Sequence, residues 1–242
     1  MIILVMLFML TFMQCLGLFS FFRGIYLYQV PIYIKVLLAI IIEFGVFNLT
    51  LMLFFCKYFP TWLCIIFGFS GITLLYLSLS TLFMEILRLF NFNNPKIYYT
   101  LATLSIILAF TAYFRSIIQP DIKSIVISSN KLTRNCKIVQ LSDLHTGPVL
   151  KRKWVEGVVK KVNELNPDLI VITGDSVDCF VENGLEIMEP FKDFKSPVYM
   201  IMGNHEYYCN APEWVNAYNK MGIKILKNEN VVIDNNFVLG GA

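Results

Sequence analysis

Three short apolar runs, each breaking into a cluster of acids, histidines or amides, constrain this chain more than any other feature. Ile138-Val139-Gln140-Leu141 runs into Ser142-Asp143-Leu144-His145-Thr146-Gly147. Leu169-Ile170-Val171-Ile172-Thr173 runs into Gly174-Asp175-Ser176-Val177-Asp178, and Val198-Tyr199-Met200-Ile201-Met202 into Gly203-Asn204-His205-Glu206. Runs so short and so rich in β-branched or bulky apolar residues read as strands buried on both faces. After the first run, residues 151–165 follow a helical period, with Trp154, Val155, Val158, Val159 and Val162 on one side. Strands alternating with such helices make a βαβ sheet, and ligands gather beyond the carboxyl ends of its parallel strands. Asp143, His145, Asp175, Asn204 and His205 therefore converge on one rim. Oxygen and imidazole donors at one point suit Mn, Fe or Zn rather than a thiolate site.

The remainder of the polar half, residues 122–242, fits the same pattern. Residues 122–128 read as an opening strand, followed by a turn at Ser129-Asn130-Lys131. A helix is expected over 184–194. Another is expected over 212–221, with Pro212 in its first turn and Gly222 as its stop. Short strands follow at 223–226 and 231–233, then a last run at 237–239 before Gly240-Gly241-Ala242.

The amino-terminal half is of another kind. Residues 1–119 hold six Lys/Arg and two Asp/Glu, and residues 120–242 hold fourteen and fifteen, so the net +3 of the chain arises in the apolar half. Four apolar segments, 1–22, 32–56, 61–87 and 98–118, each reach the roughly 17–25 residues that cross a hydrocarbon core. None has the polar face of a soluble core helix. The expectation is a multi-pass α-helical membrane region over 1–118, with the lipid bilayer as its partner. The first segment lacks a basic leader and a small-residue cleavage site, so it reads as a retained helix rather than a signal peptide. With four helices, Lys57, Arg115, Lys123, Lys131 and Arg134 share one side, against Arg23, Arg88 and Lys96 on the other. The positive-inside rule then leans toward a cytoplasmic polar half. Glu43, inside the second segment, reads as a protonated acid bonded to a neighbouring helix, and Glu85 with Arg88 as a local i, i+3 pair.

Several function classes are weakened. No basic, aromatic-interleaved patch argues for nucleic acid. The six cysteines show neither CxxC nor another paired spacing, so neither a zinc ribbon nor a disulfide framework is indicated. The apolar half lacks the paired intramembrane charges of a carrier or channel.

Taken singly, each polar cluster has an ordinary structural reading. Asp143-x-His145 reads as a capped turn, Asp175 as a helix N-cap, and Gly203-Asn204 as a loop where Asn tolerates positive φ. Their conjunction is what carries meaning: all three follow apolar runs, and both histidines of the chain fall within them. The series D-x-H, G-D-x-x-D, G-N-H-E resembles the calcineurin-like metallophosphoesterase superfamily, and the apolar leader resembles its transmembrane, or YkuE-like, branch. The resemblance covers residues 122–242. It implies a two-metal hydrolase of phosphoester or pyrophosphate bonds in an α/β sandwich of two mixed sheets flanked by helices. Carried over position by position, Asp143 and His145 bind a first divalent metal, Asp175 bridges both, and Asn204 binds the second. His205 protonates the leaving alkoxide or steadies the phosphate, while Asp178 and Glu206 orient neighbours.

One departure stands beside this match. Family members supply further histidines, a lone one and then a Gly-His-x-His pair, and none follows His205 here. The second metal would keep only Asp175 and Asn204. The expectation is a domain truncated at its carboxyl end, with a catalytically dead membrane scaffold of the same fold as the alternative. The substrate is expected to be phosphorylated, a lipid-linked phosphate included.

Overall fold

A computed structural model describes residues 61–92 and 94–242, and the chain divides into two compact units between Ser116 and Ile117. The expected segments 1–22 and 32–56, with Glu43, lie outside the described residues.

In the first unit, helix α1 (Thr61–Leu89) and helix α2 (Pro95–Ser116) pack against one another. Their contact mixes hydroxyls and rings. Ser80 and Ser105 share a hydroxyl hydrogen bond at 2.6 Å, and Phe69 meets Phe110 at 4.6 Å further along the pair. Buried Thr73 and Thr81 satisfy their hydroxyls on carbonyls of their own helix. Large apolar residues such as Trp62, Phe83, Ile107 and Phe114 face outward. Leu77, Met84, Tyr98 and Ala109 are buried as well, so the pair buries apolar and small polar side chains together. Both helices are long and apolar enough to cross a membrane, by length and composition. Glu85 and Arg88 pair at 2.5 Å, as their spacing predicts.

In the second unit, β1 (Ile138–Leu141), β2 (Leu169–Thr173), β3 (Val198–Ile201) and β4 (Lys224–Ile225) form a wholly parallel sheet in that order. The register aligns Leu141 with Ile172, Ile172 with Met200, and Met200 with Ile225. Helix α3 (Arg152–Glu164) links β1 to β2, burying Val155, Val158, Val159 and Val162. Helix α4 (Val181–Met188) and a 3-10 turn (Glu189–Asp193) link β2 to β3. The short α5 (Asn204–Tyr208) and α6 (Ala211–Lys220) link β3 to β4. Trp214, Tyr218, Phe191, Met188, Ile170 and Ile172 fill the core. An antiparallel hairpin of β5 (Glu229–Ile233) and β6 (Phe237–Gly241) follows, turning at Asp234 and Asn235, both at positive φ.

Four expectations are corrected. Neither described sheet is mixed: one is parallel, the other an antiparallel hairpin. Residues 122–128 are not a strand, and Ile125, Val126 and Ile127 are 71%, 92% and 82% exposed. β-propensity alone does not make a strand where no neighbour takes its hydrogen bonds. Strand β1 is an edge, with Ile138 and Gln140 exposed, so burial on both faces belongs to β2. The helix expected over 184–194 begins at Val181 and loses its α form at Glu189, where Pro190 brings a residue without an N–H.

Candidate metal centre

Because β1, β2 and β3 are parallel neighbours, the three polar clusters leave the sheet at the same rim. The loops after β1 and β2 continue side by side beyond the strands. Asp143 N donates to Gly174 O at 3.3 Å, His145 N to Asp175 O at 3.0 Å, Thr146 N to Ser176 O at 2.9 Å, and Asp178 N to Thr146 O at 2.8 Å. Asp143, His145 and Asp175 all lie in the left-handed region, at φ 54°, 45° and 51°. Such a conformation costs a non-glycine residue on the order of 1–3 kcal/mol and persists where surrounding bonds over-determine it. The rungs between the two loops do so here. Residues with left-handed backbones thus cluster where the chemistry-bearing side chains converge.

The loops after β2 and β3 come closer still. A Cβ on Gly203 would stand 2.1 Å from Asp175 Oδ1, and one on Gly174 (φ 86°) would stand 2.6 Å from Gly203 N. The glycines of both motifs are therefore required by the crossing. Glu206 ties it from beneath. This side chain is fully buried, and its carboxylate accepts from Gly203 N at 2.8 Å, Asp175 N at 3.0 Å and Ser176 N at 2.7 Å. A carboxylate held by three amides is a strong, charge-assisted arrangement.

On this frame two clusters of donors overlap at His145. Donor atoms of Asp143, His145 and Asp175 lie within 4.8 Å of one another, and so do those of His145, Asp178 and His205. Asp178 Oδ1 accepts from Nδ1 of His145 at 2.8 Å and from Nδ1 of His205 at 2.7 Å. A carboxylate only accepts, so both rings carry their proton on Nδ1 in this pairing. The hydrogen bond to Asp178 raises the His145 pKa above its ordinary value, burial opposes it, and the charges of Asp178, Asp175 and Asp143 add to it. His145 Nε2 faces Asp143 Oδ1 at 3.9 Å, and the Ser142 hydroxyl donates to Asp143 Oδ2. Asp175 Oδ1 accepts from His205 N at 2.9 Å. Asn204 opens α5, exposed, and its amide has no hydrogen-bond partner among the described residues.

Some supporting residues lie outside the motifs. Trp214 Nε1 donates to Cys179 O at 2.9 Å, which fixes the chain just after Asp178. Tyr218 stacks on Trp214 at 5.2 Å, and its buried hydroxyl lies near the Ser176 hydroxyl without either completing a hydrogen bond. In sequence this pair is i, i+4 on an amphipathic helix and reads simply as core. Cys179 and Cys209 border the site, but burial pushes their thiols up to about 12 and about 11. Both stay protonated near neutrality, which leaves oxygen and imidazole as the donors.

Fold and site together define a metallophosphoesterase-type α/β unit. Residues 136–241 match the family model described as calcineurin-like phosphoesterase, and this part of the chain is a calcineurin-like metallophosphoesterase domain. An uncharacterized metallophosphoesterase of Campylobacter jejuni is 31% identical over 135 residues, covering 54% of this chain and 36% of that protein. A transmembrane protein with metallophosphoesterase domain from Danio rerio is 35% identical over 120 residues, covering 47% and 28%. The UDP-2,3-diacylglucosamine pyrophosphatase LpxG of Chlamydia muridarum is 31% identical over 74 residues, covering 29% and 22%. The chain spans about a third of the length of the first curated relatives it matches. No solved structure matches.

Proposed function

We propose that this chain is part of a membrane-anchored, divalent-metal-dependent hydrolase of phosphoester or pyrophosphate bonds. The observation that carries the reading is the cluster of Asp143, His145 and Asp175 adjoining the Asp178–His205 pair. The donor set fits a divalent cation. It combines carboxylates with an imidazole whose Nδ1 is committed to Asp178. Among the described residues no Lys or Arg pairs with Asp143, Asp175 or Asp178, so the site gathers negative charge that a cation would balance. Asp143, His145 and Asp175 would hold one ion, and Asp175 with Asn204 would contribute to a second. Bound there, such ions supply Lewis-acid neutralisation of phosphoryl charge.

The chain's own groups do the rest. Asp178 fixes the His205 tautomer, leaving Nε2 as the atom that hands a proton to the departing oxygen. The same carboxylate balances the charge while His205 is protonated. Asp175 Oδ1, bonded to His205 N, keeps acid and ligand in one register. With added Mn²⁺, the whole protein of which this chain is part should hydrolyse an aryl phosphate, and His205→Ala should lower the rate about 10²–10⁴-fold with bound metal unchanged. Equal rates in the two proteins would remove His205 from the chemistry.

The anchor is the multi-pass region over residues 1–118, with the catalytic unit on the cytoplasmic side. The length and apolar surface of α1 and α2 support it, as does the printed name of the Danio rerio relative. Alkaline carbonate should leave the protein in the membrane pellet, and release into the supernatant would overturn the anchor. The Chlamydia relative, by name a pyrophosphatase of a diacylated sugar nucleotide, supports a lipid-linked phosphate as substrate.

A further inference from the structure

We propose that Tyr208 positions His205 and walls the leaving-group side of the site, favouring esters of planar or apolar alcohols; this rests on the hydrolase reading above. His205 and Tyr208 are i, i+3 on the single short helix α5, a spacing that brings two side chains onto one face. The His205 ring is bounded on three sides. Its Nδ1 is tied to Asp178 at 2.7 Å, the His145 ring meets it at 4.5 Å and 78°, and the Tyr208 ring meets it at 5.6 Å and 55°. Its backbone nitrogen is held by Asp175. Asp178 and His145 belong to the motif loops, so Tyr208 is the support the motifs do not account for. Without it, one side of the imidazole is open to rotation about the Asp178 bond.

Tyr208 is nevertheless 57% exposed, as is Tyr207 beside it. Much of the aromatic surface thus stays available beside the imidazole that would donate the proton. A leaving oxygen must come within about 2.6–3.2 Å of that nitrogen. The group attached to this oxygen then falls within contact range of the tyrosine ring. An aromatic face rewards flat or apolar groups by area burial and offset stacking.

The chain has only two histidines, so selective ¹⁵N-histidine labelling of the full chain yields two imidazole spin systems, with His145 as internal control. In metal-free protein, Tyr208→Phe should keep the His205 Nδ1–H signal, and Tyr208→Ala should broaden or shift it while His145 is unmoved. If both signals collapse in the alanine variant, Tyr208→Leu, which keeps bulk without the ring, takes its place. In Mn²⁺-loaded protein, 2-naphthyl phosphate should be preferred over phenyl phosphate by several-fold in kcat/KM. Tyr208→Phe should retain that preference. Tyr208→Ala should erase it and lower kcat about tenfold. An unmoved His205 signal in Tyr208→Ala overturns the positioning role, and an unchanged substrate preference overturns the wall. A whole wild-type protein, this chain included, that binds Mn²⁺ but turns over neither ester refutes the hydrolase reading and the wall with it, while the imidazole signals still decide positioning.

Discussion

Glu206→Ala should melt the α/β unit about 10–20 °C below wild type, from a loss of about 3–5 kcal/mol. The size follows from what the carboxylate does. It is fully buried and accepts from the amides of Gly203, Asp175 and Ser176, so alanine strands three donors at the crossing of two loops. Each stranded donor costs about 1–3 kcal/mol, partly offset where water enters the space. Asp175 is among the residues freed, and its left-handed backbone would relax once its rungs loosen. Glu206→Gln should lose less, because one carbonyl oxygen can still serve the two amides that share Oε2. Thermal unfolding followed by circular dichroism distinguishes the cases. An alanine variant melting within a degree or two of wild type would mean that the loops are held by something else.

The parts of this arrangement that a reader of the sequence can reach are those written in periodicity. The valine stripe of α3 and the apolar runs of β1, β2 and β3 announce a βαβ order, and the polar clusters after the runs locate the rim. What periodicity cannot convey is which strand is an edge, since Ile138 and Ile170 look alike until pairing is known. Nor does it say whether residues 122–128, apolar and β-branched, have a neighbour to pair with. Within the site, Asp178 reads as a spacer-bound acid, four residues beyond Gly174. Its grip on two histidines depends on the loop after β2 folding back along the loop after β1. Glu206 reads, through the family resemblance, as a residue that orients neighbours, but nothing local says which neighbours. It is buried because the Gly174–Gly203 crossing places three amides around one point. Trp214 and Tyr208 lie outside the motifs, and nothing in the sequence singles them out. Their bearing on Cys179 and His205 comes from packing that no local pattern encodes.

Asp175→Asn tests the centre most directly, because the change removes a charge and little else. The amide oxygen can still accept from His205 N, so the crossing of the loops after β2 and β3 should survive, and a melting curve close to that of metal-free wild type would verify that it has. The lost charge belongs to the one carboxylate that lies beside both proposed ion positions. Bound Mn²⁺ should therefore fall by more than about 100-fold in affinity, beyond the roughly 10–100-fold typical of losing a supporting partner rather than a ligand. Asn204→Ala provides the contrast. It removes a neutral, exposed donor that would serve only one of the two proposed positions, and about tenfold is the expected loss. Elemental analysis after equilibrium dialysis against graded Mn²⁺ would order the three proteins. If the two variants retain equal metal, Asp175 does not bridge, and the ions must be held by the His145–Asp178–His205 cluster instead.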